Sequence, residues 1–519
     1  MASTFFGLTI AYSGLQAANT SLTITGHNVS NINTKGYTKQ QAGTQAADAL
    51  RTHTTYGAIG SGVVVTEISQ IRDSYYDVKY RNNMANYGQY SVKESYMGQI
   101  EDYLDEFTLN GYSQEYKNFF SAVNQLTITP GDTSAKNQLI NNAKSLADYF
   151  NTLTTNLRNV QADANNEIKD AVQQINSYAK NIAALNRQIN QIEANYGNAN
   201  DLRDKRNAMI DELSEIVNLE TSEEDMGNNV SNFSVRINGQ TLVSSYSYNT
   251  LETVARADKK NYSDAEGLYD VQWNSGQKFD MYSTSLSGHL KGLIDIRDGN
   301  NGEHENIETD DDGNNVTDSD GNLVLTTAPA ADKTVSYKGV PYYQAQLNEF
   351  AKIFSDAVNK IMKSGYTSDG SSKGISLFVT QPNTTVMSAG NITVNPELLK
   401  NADLLAIKKE QNDGESDAKI MEELNKLQSE KIFAGGTGSY FLESIVSDMS
   451  IDSQKAVNLY KNYTDLKTSI HNQRLSIMGV DTDEEAMDMI KYQQAYNLNS
   501  KMMSVMNQIY DKLINQTGI

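Results

Sequence analysis

The sequence predicts a multidomain, mainly α fold with a β-rich insertion, in which N- and C-terminal heptad helices pair as a coiled coil. Three observations carry that reading. Apolar residues recur in three-four steps at both ends, a much longer stripe of the same kind fills the middle, and short alternating runs rich in turn residues interrupt the helical pattern. At 519 residues the chain is long enough for two to four domains and a large core.

The first element is read from Leu8, Ala11, Leu15, Ala18, Leu22, Thr25, Val29 and Ile32, a stripe broken only by polar Thr25. Asn31, Asn33 and Gly36 favour capping or left-handed backbone, so this helix is expected to stop near Ile32. GAIGSGVVVTEI then reads as a glycine-rich turn feeding a strand. Gly57, Gly60 and Gly62 lack the spacing and the following Lys-Ser/Thr pair of a phosphate loop, so the turn reading is preferred. Residues 72 to 105 read as helix.

The longest stripe runs Leu139, Ala143, Leu146, Phe150, Leu153, Leu157, Val160, Ala164, Ile168, Ala171, Ile175, Tyr178, Ile182, Leu185, Ile189 and Ile192. Two successive steps of four, Val160 to Ala164 to Ile168, form a stutter. One helix of this length would span roughly 80 Å and end at Gly197. A second helix, capped by Asn200, is expected to fold back antiparallel after the short turn. From about Leu219 to about 340 the texture turns to strands and hairpins, with NG and DG signals. Helical patterns return at 342 to 364, 398 to 432 and about 440 to 478. The last helix is expected to open with a Thr482/Glu485 capping box and to carry the stripe Ala495, Leu498, Met502, Val505, Ile509 and Leu513. The expected domains are 1–60 with 480–519 (terminal helices), 61–217 with 342–479 (elongated helical) and 218–341 (β-rich).

A net charge of -21 argues against nucleic acid as partner, and the absence of Cys excludes disulfides and thiolate chemistry. The start shows no basic n-region and no long apolar run, so neither a cleaved signal nor a membrane anchor is expected. His27, His53, His289, His304 and His471 are scattered, and no catalytic motif stands out, so no enzyme activity and no cofactor are expected. Glu308, Asp310, Asp312 and Gly313 mimic the start of a calcium loop. Glu stands at its first position and Ser319 at its twelfth, so a solvated hairpin turn is preferred and no metal is expected.

The N-terminal string SGLQAANTSLTITGHNVSNINTKGYTKQ resembles the entry segment of bacterial flagellar rod, hook and hook-associated proteins. The match is carried by Ser13, Gly14, Leu15, Asn28, Ser30, Asn31, Asn33, Gly36 and Tyr37. The C-terminal string resembles the matching exit helix at Val480, Asp481, Glu484, Glu485, Gln493, Gln494, Ala495, Tyr496 and Leu513. Within that superfamily, NDLRDKRNAMIDELSEIV, through Asn200, Asp201, Leu202, Asp204 and Arg206, resembles the hook-associated protein 1 family of hook-filament junction proteins. LSGHLKGLIDIRD resembles the same family's run into a core helix. Lys35, Arg203 and Asn207 depart from the residues usual there, and 303 to 340 has no clear counterpart.

The resemblance implies an extracellular, structural axial part that joins hook to filament after type III export and polymerises through its terminal helices. It implies as partners copies of the chain itself, hook protein, a filament-side hook-associated protein and an export chaperone at the C-terminal helix, with no membrane. Leu8, Leu15, Leu22, Val29, Ile32, Ala495, Leu498, Met502, Val505, Ile509 and Leu513 are the expected subunit-interface residues. Another axial subunit, or a secreted adhesin or enzyme on an axial scaffold, is the competing reading.

Overall fold

In the computed structural model the helices are α1 (Phe6–Ser30), α2 (Ser74–Leu104), α3 (Tyr112–Ile128), α4 (Thr133–Glu193), α5 (Asn200–Ile216), α6 (His289–Asp298), α7 (Gly339–Ser364), α8 (Pro396–Lys400), α9 (Lys419–Lys426), α10 (Gly438–Met478) and α11 (Thr482–Asn515). The structure describes residues 6–51, 58–104, 111–299, 305–310, 314–317, 321, 323–326, 338–382, 384–414, 416–433 and 435–516. Contacts divide the chain into two units. Unit 1 holds the chain up to Ala85, Ile175–Thr250 and the chain from Tyr463; unit 2 holds Asn86–Gln174 and Leu251–Asn462. The division falls inside α2, α4 and α10.

The long stripe on α4 is buried from Leu139 to Ile175 and again at Ile182 and Ile189, while Ile192 at its end is exposed. The helix starts earlier than its apolar pattern, at Thr133, where Asp132 Oδ1 accepts from Ser134 N at 2.8 Å. It ends at Glu193, a turn before Gly197. Beside the apolar stripe α4 carries buried amides that act as backbone partners for loops. In unit 1, Asn186 Nδ2 donates to Phe233 O and Ser245 O, and Asn190 Nδ2 donates to Ser231 O. In unit 2, Gln161 Nε2 donates to Arg297 O and Asn165 Oδ1 accepts from Tyr269 N. Each amide offers a donor and an acceptor, so one side chain replaces a missing rung of sheet.

In unit 1, α5 runs back along α4 as expected. Arg203 Nε meets Glu193 Oε1 at 2.7 Å, Arg206 Nη1 donates to Asn186 Oδ1 at 3.1 Å and Tyr178 OH donates to Glu212 Oε2 at 3.0 Å. The expected Asn200 cap is absent: Ala199 stands at the cap, and the Asn200 amide donates to Ile68 O at 2.8 Å. Its side chain is spent on the strand packed against it. That strand, Val63–Gln70, pairs antiparallel with Gln40–Ala46, and a four-stranded meander covers Glu220–Asp225, Ser231–Ile237, Gln240–Ser244 and Ser247–Tyr248. Its Asn238-Gly239 turn has φ of 48° and 77°, the left-handed pair that the NG signal requires.

In unit 2 the core is aromatic. Phe350 stacks on Phe150, Phe354 and Phe433 at 5.2, 5.6 and 5.0 Å between ring centroids. α3, with Tyr116, Phe119, Phe120, Val123 and Leu126 buried, supplies part of it and was not among the sequence expectations. The expected helix at 398 to 432 is broken into α8, a short 3-10 turn, the strand Ala406–Lys408 and α9. Asn401 causes the break, its side chain accepting from Asp403 N and starting a new turn. The segment 218–341 does not stay together: the meander belongs to unit 1, whereas the Leu251–Ala255/Tyr269–Trp273 hairpin and α6 belong to unit 2. In the calcium-like run, Asp312, Gly313 and Ser319 lie outside the described residues, as do His53, His304 and Gly57. Among the described residues no group of three His, Cys, Asp or Glu side chains is placed to hold a metal.

Candidate assembly interface

The terminal helices α1 and α11 pack antiparallel within unit 1, and three points of contact fix their register. A Cβ built on Gly7 would lie 3.0 Å from Met506 Cε, and one on Gly14 would lie 2.6 Å from Asn499 Oδ1. Asn28 Nδ2 donates to Glu485 Oε1 at 3.2 Å. These points are separated by one and two heptads on both helices. The rung between the last two, Ser21 and Tyr492, is buried and half-buried respectively.

The seam keeps Ala11, Ala18 and Thr25 of the expected α1 stripe, but its alternate positions there and the whole of the expected α11 stripe are offset by one residue. On α1 it follows 7, 11, 14, 18, 21, 25 and 28, with Ala11, Ala18, Ser21, Thr25 and Asn28 buried. Leu8, Leu15 and Leu22 lie half-buried along its edge, and Val29 and Ile32 are exposed. On α11 it follows Tyr492, Tyr496, Asn499, Met503, Met506 and Tyr510, all half-buried. Of the expected stripe, Ala495 is half-buried, while Leu498 is 69% and Leu513 55% exposed, with Met502, Val505 and Ile509 exposed between them. Small and polar residues of α1 meet Tyr, Met and Asn of α11 within the chain, and the aliphatic row of α11 from Leu498 to Leu513 faces outward.

At the Asn28 end the seam runs into a buried polar joint. Asn28, 1% exposed, uses every hydrogen-bonding position of its amide: Nδ2 donates to Gln40 O and Glu485, and Oδ1 accepts from Gln40 N and the Tyr37 hydroxyl. Since Tyr37 spends its only proton on Asn28, His27 Nδ1, 2.9 Å from that hydroxyl, must be the donor to it. Burial, then Asp201, pushes the Tyr37 phenol up. Lys39 N donates to Met478 O, and Lys39 Nζ lies 2.8 Å from Glu484 and 3.1 Å from Glu485. Burial pulls the Lys39 amine down, but these two carboxylates outweigh it and leave its pKa raised. The expected capping box is replaced: Asp481 Oδ1 accepts from Asp483 N and Glu484 N, which releases Glu485 for the joint.

The next turn of the joint is held by α5. Asp204 accepts from Thr38 N at 2.9 Å and Thr38 Oγ1 at 2.7 Å, and Asp201 Oδ1 accepts from Gln40 Nε2 at 2.9 Å. Burial raises the Asp204 carboxyl against the opposing pull of Thr38 and Arg72. From Asp204 an alternating chain of charges runs through Arg72, Asp77, Arg474, Asp211 and Arg81, with contacts of 2.6 to 3.4 Å. Gly62, at φ 112°, lets the strand Val63–Gln70 touch α1, where an added Cβ would lie 2.2 Å from Ser13 Oγ. That contact accounts for the glycine at 62.

Sequence reasoning singled out Asn28, Tyr37, Asp201, Asp204, Glu484 and Glu485 in three separate strings; the structure brings them together. It missed Thr38, Lys39 and Gln40, whose only sequence signal was their place directly after Gly36-Tyr37. A cleft of about 570 Å³ in unit 2, lined by Arg158, Lys259, Asn261, Tyr262 and Ile307, offers no nucleophile with an adjacent base. Among the described residues no helix is long and apolar enough to cross a membrane.

Comparison with known proteins bears on the same regions. Residues 97–378 match the family described as the flagellar hook-associated protein FlgK helical domain, and residues 471–516 match the flagellar basal body rod FlgEFG protein C-terminal family. Flagellar hook-associated protein 1 of Bacillus subtilis is 27% identical over 543 residues, covering 100% of this chain and 99% of the relative. Its namesake from Salmonella typhimurium is 28% identical over 551 residues, covering 97% and 98%. The flagellar hook junction protein FlgK from Burkholderia pseudomallei has a similar fold, with a TM-score of 0.60 at 14% identity over 77% of this chain and 100% of that one.

Proposed function

The chain belongs to the flagellar hook-associated protein FlgK family, and from that premise we propose how its terminal helices build the hook-filament junction. It is a structural axial component of the flagellum at that junction, in a family of structural proteins. The terminal segments 1–60 and 480–519 form the assembling base as a coiled coil. The interface residues are Leu8, Leu15, Leu22, Val29, Ile32, Ala495, Leu498, Met502, Val505, Ile509 and Leu513, and they meet copies of the chain, hook protein and a filament-side hook-associated protein. The chain leaves the cell through the type III export route, its C-terminal helix covered by a chaperone until then.

One observation carries the finer reading. α11 already meets the small-residue seam of α1 through its Tyr, Asn and Met row, yet presents a second row of large aliphatic side chains to solvent. Burying such side chains stabilises by about 1.5–3 kcal/mol each, enough for a few of them to hold neighbouring subunits. The test is deletion of the gene. Cells that keep hooks but shed unpolymerised filament protein support the junction role, whereas hookless cells would overturn it.

A further inference from the structure

We propose that Asn28 and Glu485 form a joint that fixes the direction in which the α1–α11 pair leaves the rest of unit 1, and that assembly depends on that fixed direction. This rests on the self-assembly reading above and adds to it the residues that aim the assembling surface.

Three facts carry the inference. The two side chains are each 1% exposed, and they sit where the helix pair meets the Tyr37–Gln40 turn and the α10–α11 connection. Asn28 ties three segments at once: its own helix, both the N–H and the C=O of Gln40, and α11 through Glu485. Glu485 in turn is held by Lys39, whose own backbone N–H is bonded to Met478 O. Beyond this point the α1–α11 seam consists of alanines, glycines, Ser, Thr, Asn, Met and Tyr, which set register, and α1 meets the strand at 63–70 through a long hydrogen bond from Val63 N to Ser13 Oγ at 3.2 Å, against the four bonds that Asn28 makes. A buried amide with all four positions satisfied has one low-energy geometry, and each lost partner leaves an unpaired buried group, so the joint resists bending.

The experiment uses the full-length chain, whose lack of Cys allows clean placement of two spin labels, at exposed Lys205 on α5 and exposed Ile509 on α11. Unlabelled versions are tested separately for restoring filaments to a deletion strain. Asn28→Asp removes the donor to Glu485 and sets two carboxylates side by side, and Glu485→Leu removes the acceptor. Each is expected to widen the label-to-label distance distribution about twofold at unchanged helicity, and to cut the fraction of filament-bearing cells about tenfold. Glu485→Gln keeps an acceptor for Asn28 and is expected to stay as narrow as the parent. A merely stabilising role would lower the unfolding temperature without widening the distribution. Narrow distributions in both disrupting variants, loss of helicity in both, or broad distributions with normal filaments would each overturn the proposal. A Gln variant as broad as the Leu variant would shift the role to the Lys39 ion pair and overturn the part given to Asn28. If the parent chain itself fails to restore filaments, the junction reading falls, and the distance measurement still decides the joint.

Discussion

Glu305 in unit 2 is a buried acid whose surroundings favour its protonated form. Burial, reinforced by Asp264, pushes its carboxyl from 4.5 to about 7, although Asn348, Ser263 and Arg158 pull the other way. Between these two values the folded protein holds a proton that the unfolded chain has released, so stability falls as pH rises through that window. The expected loss is at most about 3 kcal/mol between pH 4.5 and 7, and Glu305→Gln should flatten it. Trp273, the single tryptophan and buried in unit 2, reports the transition by fluorescence in urea. A pH slope unchanged by Glu305→Gln would contradict the assignment. Neither this acid nor Asn28 was legible as a buried group. Sequence places Asn28 near the end of the first helix and Glu305 in a polar stretch, and no periodicity distinguishes a solvated amide from one with every position bonded.

At the scale of elements, α4 was the most legible, because a helix buried along one side must repeat apolar residues every three or four positions. α11 shows the limit of that rule. Its apolar row was found, but the row faces outward, and the contact with α1 is made by Asn499, Met506 and Glu485 against Gly14, Gly7 and Asn28. Close approach of two helices favours small residues, which an apolar count does not weigh. Gly14→Val should therefore weaken the pair by about 1–3 kcal/mol, because the new side chain meets an Asn499 amide already bonded to Ala495 O. Accelerated proteolysis of α1 reads this out. Asn499→Ala in the same chain should relieve most of the effect, and a lack of rescue would place the clash elsewhere.

At the scale of the molecule, the two units draw on non-contiguous stretches of chain. Removing residues 1 to 35 takes away α1 and the seam, but no residue of unit 2. Such a chain should lose assembly while keeping the urea transition of Trp273 at its original midpoint; a shifted midpoint would show that unit 2 needs the terminal helix. The aromatic stack around Phe350, built from rings on α4, α7, α10 and the segment before it, gives unit 2 a core of its own. The boundary at 250/251 inside the β-rich segment was not legible, since adjacent hairpins look alike in sequence and only their packing partners differ.

By itself the sequence determined the terminal helices, the long α4, the NG turn, the back-folded α5 and the family, because these depend on local periodicity, backbone preference and strings of characteristic residues. Only the tertiary structure decided which face of each terminal helix is spent inside the chain. It also decided that three distant strings close into one joint around Asn28 and Glu485. Burial and hydrogen-bond pairing depend on what lies opposite a side chain, and that partner is hundreds of residues away in the sequence: Asn28 and Glu485 are 457 positions apart.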